Sequence, residues 1–388
     1  MSDFPAVLIG GPPHSGKSVL VYSLTRALRA ARIPHYALRA CPDGEGDWAN
    51  EADQALVQTI RSKGAFSPEF MGRVADYLQK RHLPLLVDVG GKPTPEQENV
   101  FAHCTHAILL IGDRANDPDA FTRDLAVWRQ MMQRQGITII AELKSSLTGQ
   151  DELNTVEPII QGMITGLERG QTADGPAFTA VVDRLSGLFN IPEAELTRRH
   201  LAQAPVELTL DLPALARTLG QADGYWQPEQ LPILWDYLPA GKPLAAYGRA
   251  PNWLYAALAM IAYPAPFWLF DARLGWVEPP RLPAESSSHQ TGWQAIIQEK
   301  AACTLLEMKT HSQYLAIDEA EKLPLVAIPS GQGLVLSGKI PHWLVTAVTR
   351  QCAPYLPWTA VYQPQLQSAV IVNSQVPHML LGERFPID

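Results

Sequence analysis

AVLIGGPPHSGKS, Ala6 to Ser18, carries a short apolar run straight into a glycine loop, and an amphipathic pattern continues from it through Ala27 and Leu28. Strand, loop, helix is the setting in which G-x-x-x-x-G-K-S makes a phosphate cradle. The glycines let backbone N–H groups turn inward around phosphate oxygens, and the helix N-terminus that follows adds partial positive charge. Gly11, Ser15, Gly16 and Lys17 are therefore the expected nucleotide contacts, with Lys17 reaching the β and γ phosphates. Ser18 is expected to hold Mg²⁺ through its hydroxyl, which makes ATP with Mg²⁺ the expected cofactor pair.

Further along, LPLLVDVGG, Leu83 to Gly91, is an apolar strand ending on Asp88. A magnesium-bound triphosphate needs a carboxylate from the strand beside its loop, so Asp88 is a candidate for the metal and for the chemistry. More strands are predicted at IPHYALRA, at HAILLIGD (His106 to Asp113) and at ITIIAEL (Ile137 to Leu143), with helical patterns between them. That alternation implies an α/β domain, a parallel sheet with helices on both faces. IPHYALRA leads into CPDGEGDW, where Asp43, Glu45 and Asp47 cluster among glycines. Open α/β sheets bind ligands at this end of the strands, so Asp43 and Asp47 join the candidates, with a solvated acidic turn as the plain alternative.

The second half repeats itself. YGRAPNWLYAAL, Tyr247 to Leu258, returns as LSGKIPHWLVTAV, Leu336 to Val348. Gly248, Arg249, Pro251, Trp253 and Leu254 become Gly338, Lys339, Pro341, Trp343 and Leu344. Each copy then runs through a helix-like stretch into a strand and a polar turn, FWLFDARLG and WTAVYQPQL. Such a repeat is two copies of one supersecondary unit, neither able to bury its apolar face alone, and two copies are expected to pack as a pseudo-symmetric pair. A base on a glycine loop beside a proline-started helix suits an anion, which singles out Gly248, Arg249, Gly338 and Lys339. Trp253 and Trp343 are open to two readings, a stacking platform or core packing. The organisation expected is residues 1–165 as the P-loop domain, 166–205 as a helical connector, 206–285 as the first copy, 286–302 as a linker and 303–388 as the second copy.

Composition narrows the partners. The 388 residues are 46% hydrophobic, enough for two or three domains with a large core, and carry a formal charge of −8. That charge argues against binding duplex nucleic acid, where affinity comes from Lys and Arg on phosphates. Cys41, Cys104, Cys303 and Cys352 form no CxxC pair, so neither a zinc site nor a disulfide framework is expected. With no signal-like start, a cytoplasmic setting is the expectation. Ala250 to Phe270 is uncharged and long enough to raise the question of a membrane span, but Pro264 and Pro266 would break a helix near Ala262. No membrane association is expected.

The words G-[RK]-x-P-x-W-L and aromatic-Asp-x-Arg-Leu-Gly resemble the CRISPR-associated Csx-three ring-nuclease family, over about Val206 to Leu282 and again Cys303 to Asp388. The P-loop region, with PDGEGDW and LLVDVGG, is similar to the ATPase-like domain fused to that family in some bacteria. The resemblance implies small α/β units that bind cyclic tetra-adenylate and linearise it with Mn²⁺, and it implies self-association. Asp271 and Arg273 sit on the turn after a buried strand, where they read as a metal or phosphate site or as a plain turn ion pair; carried over by position, the resemblance makes Asp271 catalytic and metal-binding with Arg273 its catalytic partner, and Asn252 and His342 join Trp253 among the expected ligand contacts. The family's other motif residues are absent: Gln363 and Gln365 stand at the Asp and Arg positions of the second copy, Gln375 and Pro280 to Leu282 stand where a histidine is expected, and the helix-end histidine is missing from both copies. Glutamine hydrogen-bonds but supplies neither an anionic ligand nor a base. Three readings follow: an active ring nuclease with one surviving copy, a cyclic-oligoadenylate sensor coupled to ATPase activity, or a P-loop small-molecule kinase.

Overall fold

The computed structural model describes residues 4–40, 68–91, 93–114, 117, 119–221, 223–283, 293–310, 317, 325, 327–329 and 331–387. Two compact units emerge, Met1–Leu196 with Ala272–Gly275, and Thr197–Asp271 with Trp276–Asp388. Asp43, Glu45, Asp47 and the polar stretch ESSSHQTG lie outside the described residues.

In the first unit, β1 (Ala6–Gly10), β2 (Tyr36–Arg39), β3 (Leu85–Asp88), β4 (His106–Gly112), β5 (Thr138–Ser146), β6 (Glu152–Thr155) and β7 (Ile160–Thr165) form one sheet in the order β2-β3-β1-β4-β5-β7-β6. Only β6 runs antiparallel to its neighbour. Strand side chains alternate between faces, and both faces are buried. Val7 and Ile9 of β1 join the helices Lys17–Ala30 and Gly175–Phe189 in one core. Ala6 and Leu8 point into the other, with Leu78, Phe101 and Trp128 from the helices Pro68–Gln79, Pro95–Phe101 and Ala120–Arg134. The helix Gly175–Phe189, expected as part of a connector, thus supplies Ala177, Phe178, Val181, Leu185 and Phe189 to the first unit's core. The β6–β7 hairpin was not foreseen, because ELNT alternates too weakly to read as a strand.

The second unit holds two sheets with matching plans. In one, β8 (Thr209–Asp211), β9 (Leu244–Tyr247), β10 (Phe267–Asp271) and β11 (Gly275–Val277) lie in the order β11-β10-β9-β8. In the other, β12 (Trp293–Glu299), β13 (Cys303–Thr310), β14 (Gly333–Ser337), β15 (Trp358–Gln363), β16 (Ser368–Ser374) and β17 (Arg384–Phe385) lie in chain order. Parallel pairs β8–β9–β10 correspond to β13–β14–β15, and the helices Asn252–Ala262 and His342–Cys352 make the matching crossovers. Register fixes the equivalences independently of the sequence words. Ala245 pairs Trp268 and Ala246 pairs Leu269, while Val335 pairs Ala360 and Leu336 pairs Val361. Counting forward puts Asp271 opposite Gln363 and Arg273 opposite Gln365. Trp293–Glu299, expected as linker, is instead a strand paired along its length with β13. Val206 to Leu212 gives only three strand residues, because Asp211 accepts from the Ala214 amide (3.0 Å) and caps a helix that starts at Leu212.

Helix Asn252–Ala262 is buried all round from Trp253 to Ala262. A helix apolar on every face needs cover on every face, and here the helix His342–Cys352 and strands β15 and β16 supply it. Arg350 ties the copies together by donating to the carbonyls of Ala259 (2.9 Å) and Ala265 (2.9 Å). Gln351 does so too, exchanging two hydrogen bonds with the Leu282 backbone, at 2.7 and 2.9 Å. The helix ends at Ala262, before Pro264, and among the described residues no helix is long and apolar enough to cross a membrane.

Trp343 has 0% of its surface exposed and Tyr237 has 80%. Trp343→Ala should cost about 3–5 kcal/mol in the second unit and Tyr237→Ala less than about 0.5 kcal/mol, read from calorimetric unfolding of the full chain.

Candidate functional sites

β1 ends at Gly10, and the loop after it bends through Gly11 (φ +150°) and Gly16 (φ +86°) before the helix begins at Lys17. Gly11 is obligatory, since a Cβ there would stand 1.9 Å from the Leu110 carbonyl oxygen. Lys17 is buried and its ammonium group curls back over the loop, donating to the carbonyls of Gly11 (2.9 Å) and Pro12 (2.8 Å). Ser15 is held from below, because Ser145 at the end of β5 donates to its carbonyl at 2.8 Å. The Ser15 hydroxyl is buried and has no partner among the described residues. An orphaned buried hydroxyl within a ring of backbone amides fits a phosphate oxygen.

β3 lies beside β1 with Ile9 opposite Asp88, and this register brings Ser18 Oγ to 2.9 Å from Asp88 Oδ2. A hydroxyl and a carboxylate are hard oxygen donors, and a magnesium ion takes one or two such protein ligands and completes its shell with phosphate and water. The donor set fits Mg²⁺ held by Ser18 and Asp88, where the ion would neutralise phosphate charge. Arg39, missed in the sequence, is the in-register partner of Asp88 on β2, with Nε 3.8 Å from Asp88 Oδ2. Its Nη1 is buried and unpartnered among the described residues. The available signal was its position, a base at the end of a strand next to the one carrying Asp88.

Gly91, just after β3, touches the loop: a Cβ there would meet the Pro13 backbone nitrogen at 2.3 Å. Gly91→Ala should displace the loop and raise the Kd for Mg·ATP by about tenfold, roughly 1.4 kcal/mol, in calorimetric titration. Gly72→Ala, with open space around it, is the control expected to leave that Kd unchanged.

The second assembly of candidates gathers where the two crossover helices of the duplicated unit meet. Asn252 and His342 occupy the same repeat position 90 residues apart, and they meet, with His342 Nδ1 2.6 Å from Asn252 Oδ1. The Tyr255 ring lies 4.6 Å from the His342 ring, and its hydroxyl donates to the Gly248 carbonyl. Burial pushes the Tyr255 pKa upward, and Asp271 adds to the rise. Burial also lowers the His342 pKa, with Asp271 opposing it. Asp271 at the end of β10 therefore acts on residues of both copies. His342 is exposed at the surface.

Gly248 (φ +102°) and Gly338 (φ +138°) take the same left-handed turn at the ends of β9 and β14, and Arg249 and Lys339 follow them exposed to solvent. Arg273 is half-buried in the turn between β10 and β11. In the second copy, Gln363 donates from its side-chain amide to the Gln365 side-chain carbonyl, so the two glutamines satisfy each other. Trp253 is 1% exposed and Trp343 0%, so neither presents a ring face to a ligand. Trp253 is therefore core rather than a stacking platform, as the second residue of a helix enclosed from Trp253 to Ala262.

Among the described residues, no group of three or more His, Cys, Asp and Glu side chains could hold a metal ion. Asp271 is a single carboxylate, so the residues present do not make a protein-held manganese site, and no step is drawn through one.

Fold and sites together define a P-loop-type α/β domain joined to a duplicated α/β module. Residues 308–386, within the second copy, match the family model described as CRISPR-associated protein (Cas_csx3). The match covers well under half of the chain. Among solved structures, chloroplast FtsY from Physcomitrella patens is 14% identical with a TM-score of 0.30, covering 48% of this chain and 66% of that one. The signal recognition particle receptor FtsY from Elizabethkingia anophelis is 11% identical with a TM-score of 0.29, covering 49% and 67%. Likeness this loose says nothing of function. No curated protein matches the chain at a significant level.

Proposed function

We propose that the duplicated module binds cyclic tetra-adenylate on the face around Arg249, Asn252, Lys339 and His342 and opens the ring, while the P-loop domain binds Mg·ATP. The observation that carries this reading is the juxtaposition of Asn252 and His342 at 2.6 Å, which brings the starts of the two crossover helices together, each just after its own glycine turn. A cyclic tetranucleotide has rotational symmetry of its own, and a pseudo-twofold face carrying Arg249 and Lys339 offers it equivalent contacts. In the reaction, a ribose 2′-hydroxyl attacks the adjacent phosphodiester. Arg249 and Lys339 balance the charge that develops, and Asp271 orients the reacting groups. Chemistry is confined to the copy that retains Asp271 and Arg273.

One observation favours a second reading. The mutually bonded Gln363 and Gln365 leave the second copy without a carboxylate or a base at those positions. A module that only senses the ligand and passes occupancy to the ATPase needs neither.

Purified full-length protein with labelled cyclic tetra-adenylate and Mn²⁺, with and without ATP, separates the readings. Linear product that falls about 100-fold or more in Asp271→Ala is the expected result. Retention without product, with a changed rate of ATP hydrolysis, would favour the sensor. Neither retention nor product would leave a P-loop enzyme acting on a different substrate.

A further inference from the structure

We infer that His342, supplied by the second copy, is the general base for cleavage at the first copy, and that Asn252 positions it by holding its ring in one tautomer. The inference rests on the cyclic tetra-adenylate reading above. Asn252 Oδ1 is an acceptor, so the 2.6 Å contact requires His342 Nδ1 to carry the proton. A neutral imidazole protonated at Nδ1 has its lone pair on Nε2. Among the described residues, Nε2 makes no hydrogen bond, while the Tyr255 ring at 4.6 Å fixes the plane in which it points. The partner of His342 in the repeat is Asn252, which has no base to offer, and the partner of Asp271 is Gln363, which is no longer a carboxylate. Base and carboxylate thus survive in different copies and come together only because the copies pack around their axis, giving one composite site per chain.

Desolvation by the surrounding protein lowers the His342 pKa and so favours the neutral ring over the imidazolium. Asp271 opposes this, and Tyr255 faces the ring with its hydroxyl committed to the Gly248 carbonyl. The step balances without a further reagent. His342 Nε2 takes the proton of the 2′-hydroxyl, the 2′-oxygen forms a bond to phosphorus, and the bond from phosphorus to the 5′-oxygen breaks. The departing 5′-oxygen then takes a proton from the imidazolium. The product is a linear oligoadenylate ending in a 2′,3′-cyclic phosphate.

The test uses full-length protein, labelled cyclic tetra-adenylate, equilibrium binding and single-turnover cleavage. At saturating ligand, His342→Ala and His342→Gln should cleave about 100-fold more slowly or worse, whatever change in affinity the loss of a contact on the binding face brings. Added imidazole should restore part of the rate to His342→Ala, which loss of a merely structural contact would not allow. Asn252→Ala should lower the single-turnover cleavage rate at saturating ligand, and Asn252→Asp, which keeps an acceptor oxygen, should recover it. Wild-type protein that cleaves, with His342→Gln equally fast, overturns this inference alone. Wild-type protein that binds without cleaving overturns it in favour of the sensor, and wild-type protein that does neither removes the ligand reading beneath it.

Discussion

The helix Asn252–Ala262 has no polar face to give to water: every side chain from Trp253 to Ala262 is buried. Burying a large apolar side chain is worth about 1.5–3 kcal/mol, so leaving Trp253, Leu254, Leu258 and Ile261 half covered would cost more than a small unit can spare. The second copy supplies the missing cover through its own crossover helix and the inner face of β15 and β16. Everything notable about the second unit follows from that requirement. The two helices must lie together, their starts must meet, and the residues at those starts must find polar partners in each other.

Duplication followed by divergence then has a spatial meaning. Asn252 and His342 became different residues at one repeat position, and the axis makes them neighbours. Asp271 remains in the first copy, while its counterpart Gln363 has turned to Gln365. A symmetric pair would have offered two equal sites. The second copy no longer has a carboxylate at that position, while Gly248 and Gly338 both keep positive φ at the ends of their strands.

The first unit is governed by a different constraint, the close packing of backbone around the phosphate loop. Gly11 stands where any Cβ would strike the Leu110 carbonyl, and Gly91 stands where one would strike Pro13. These approaches lock the loop between β3 and β4, and the strand order makes Asp88 and Arg39 its neighbours. Arg39 offers the Asp88 carboxylate a cation within the sheet, while the Ser18 hydroxyl bonds the same oxygen. The ends of β2 and β3 and the start of the helix after β1 thereby bring a guanidinium, a carboxylate and a hydroxyl together.

Much of this was legible in the chain. The strand–loop–helix at Ala6 to Ser18, the alternating strands, Asp88 at a strand end and the repeat itself are local patterns, set by periodicity and glycine placement within a few residues. Tertiary structure decided what local pattern cannot carry. Trp253 reads equally as platform or core until the packing of a second copy closes it off. Trp293–Glu299 reads as linker until β13 offers it a hydrogen-bonding edge. Arg39 gains a partner only through parallel register with β3, and His342 only through a contact across 90 residues of chain. Propensity acts over one or two turns of helix, whereas these pairings are fixed by which apolar faces must be buried against each other.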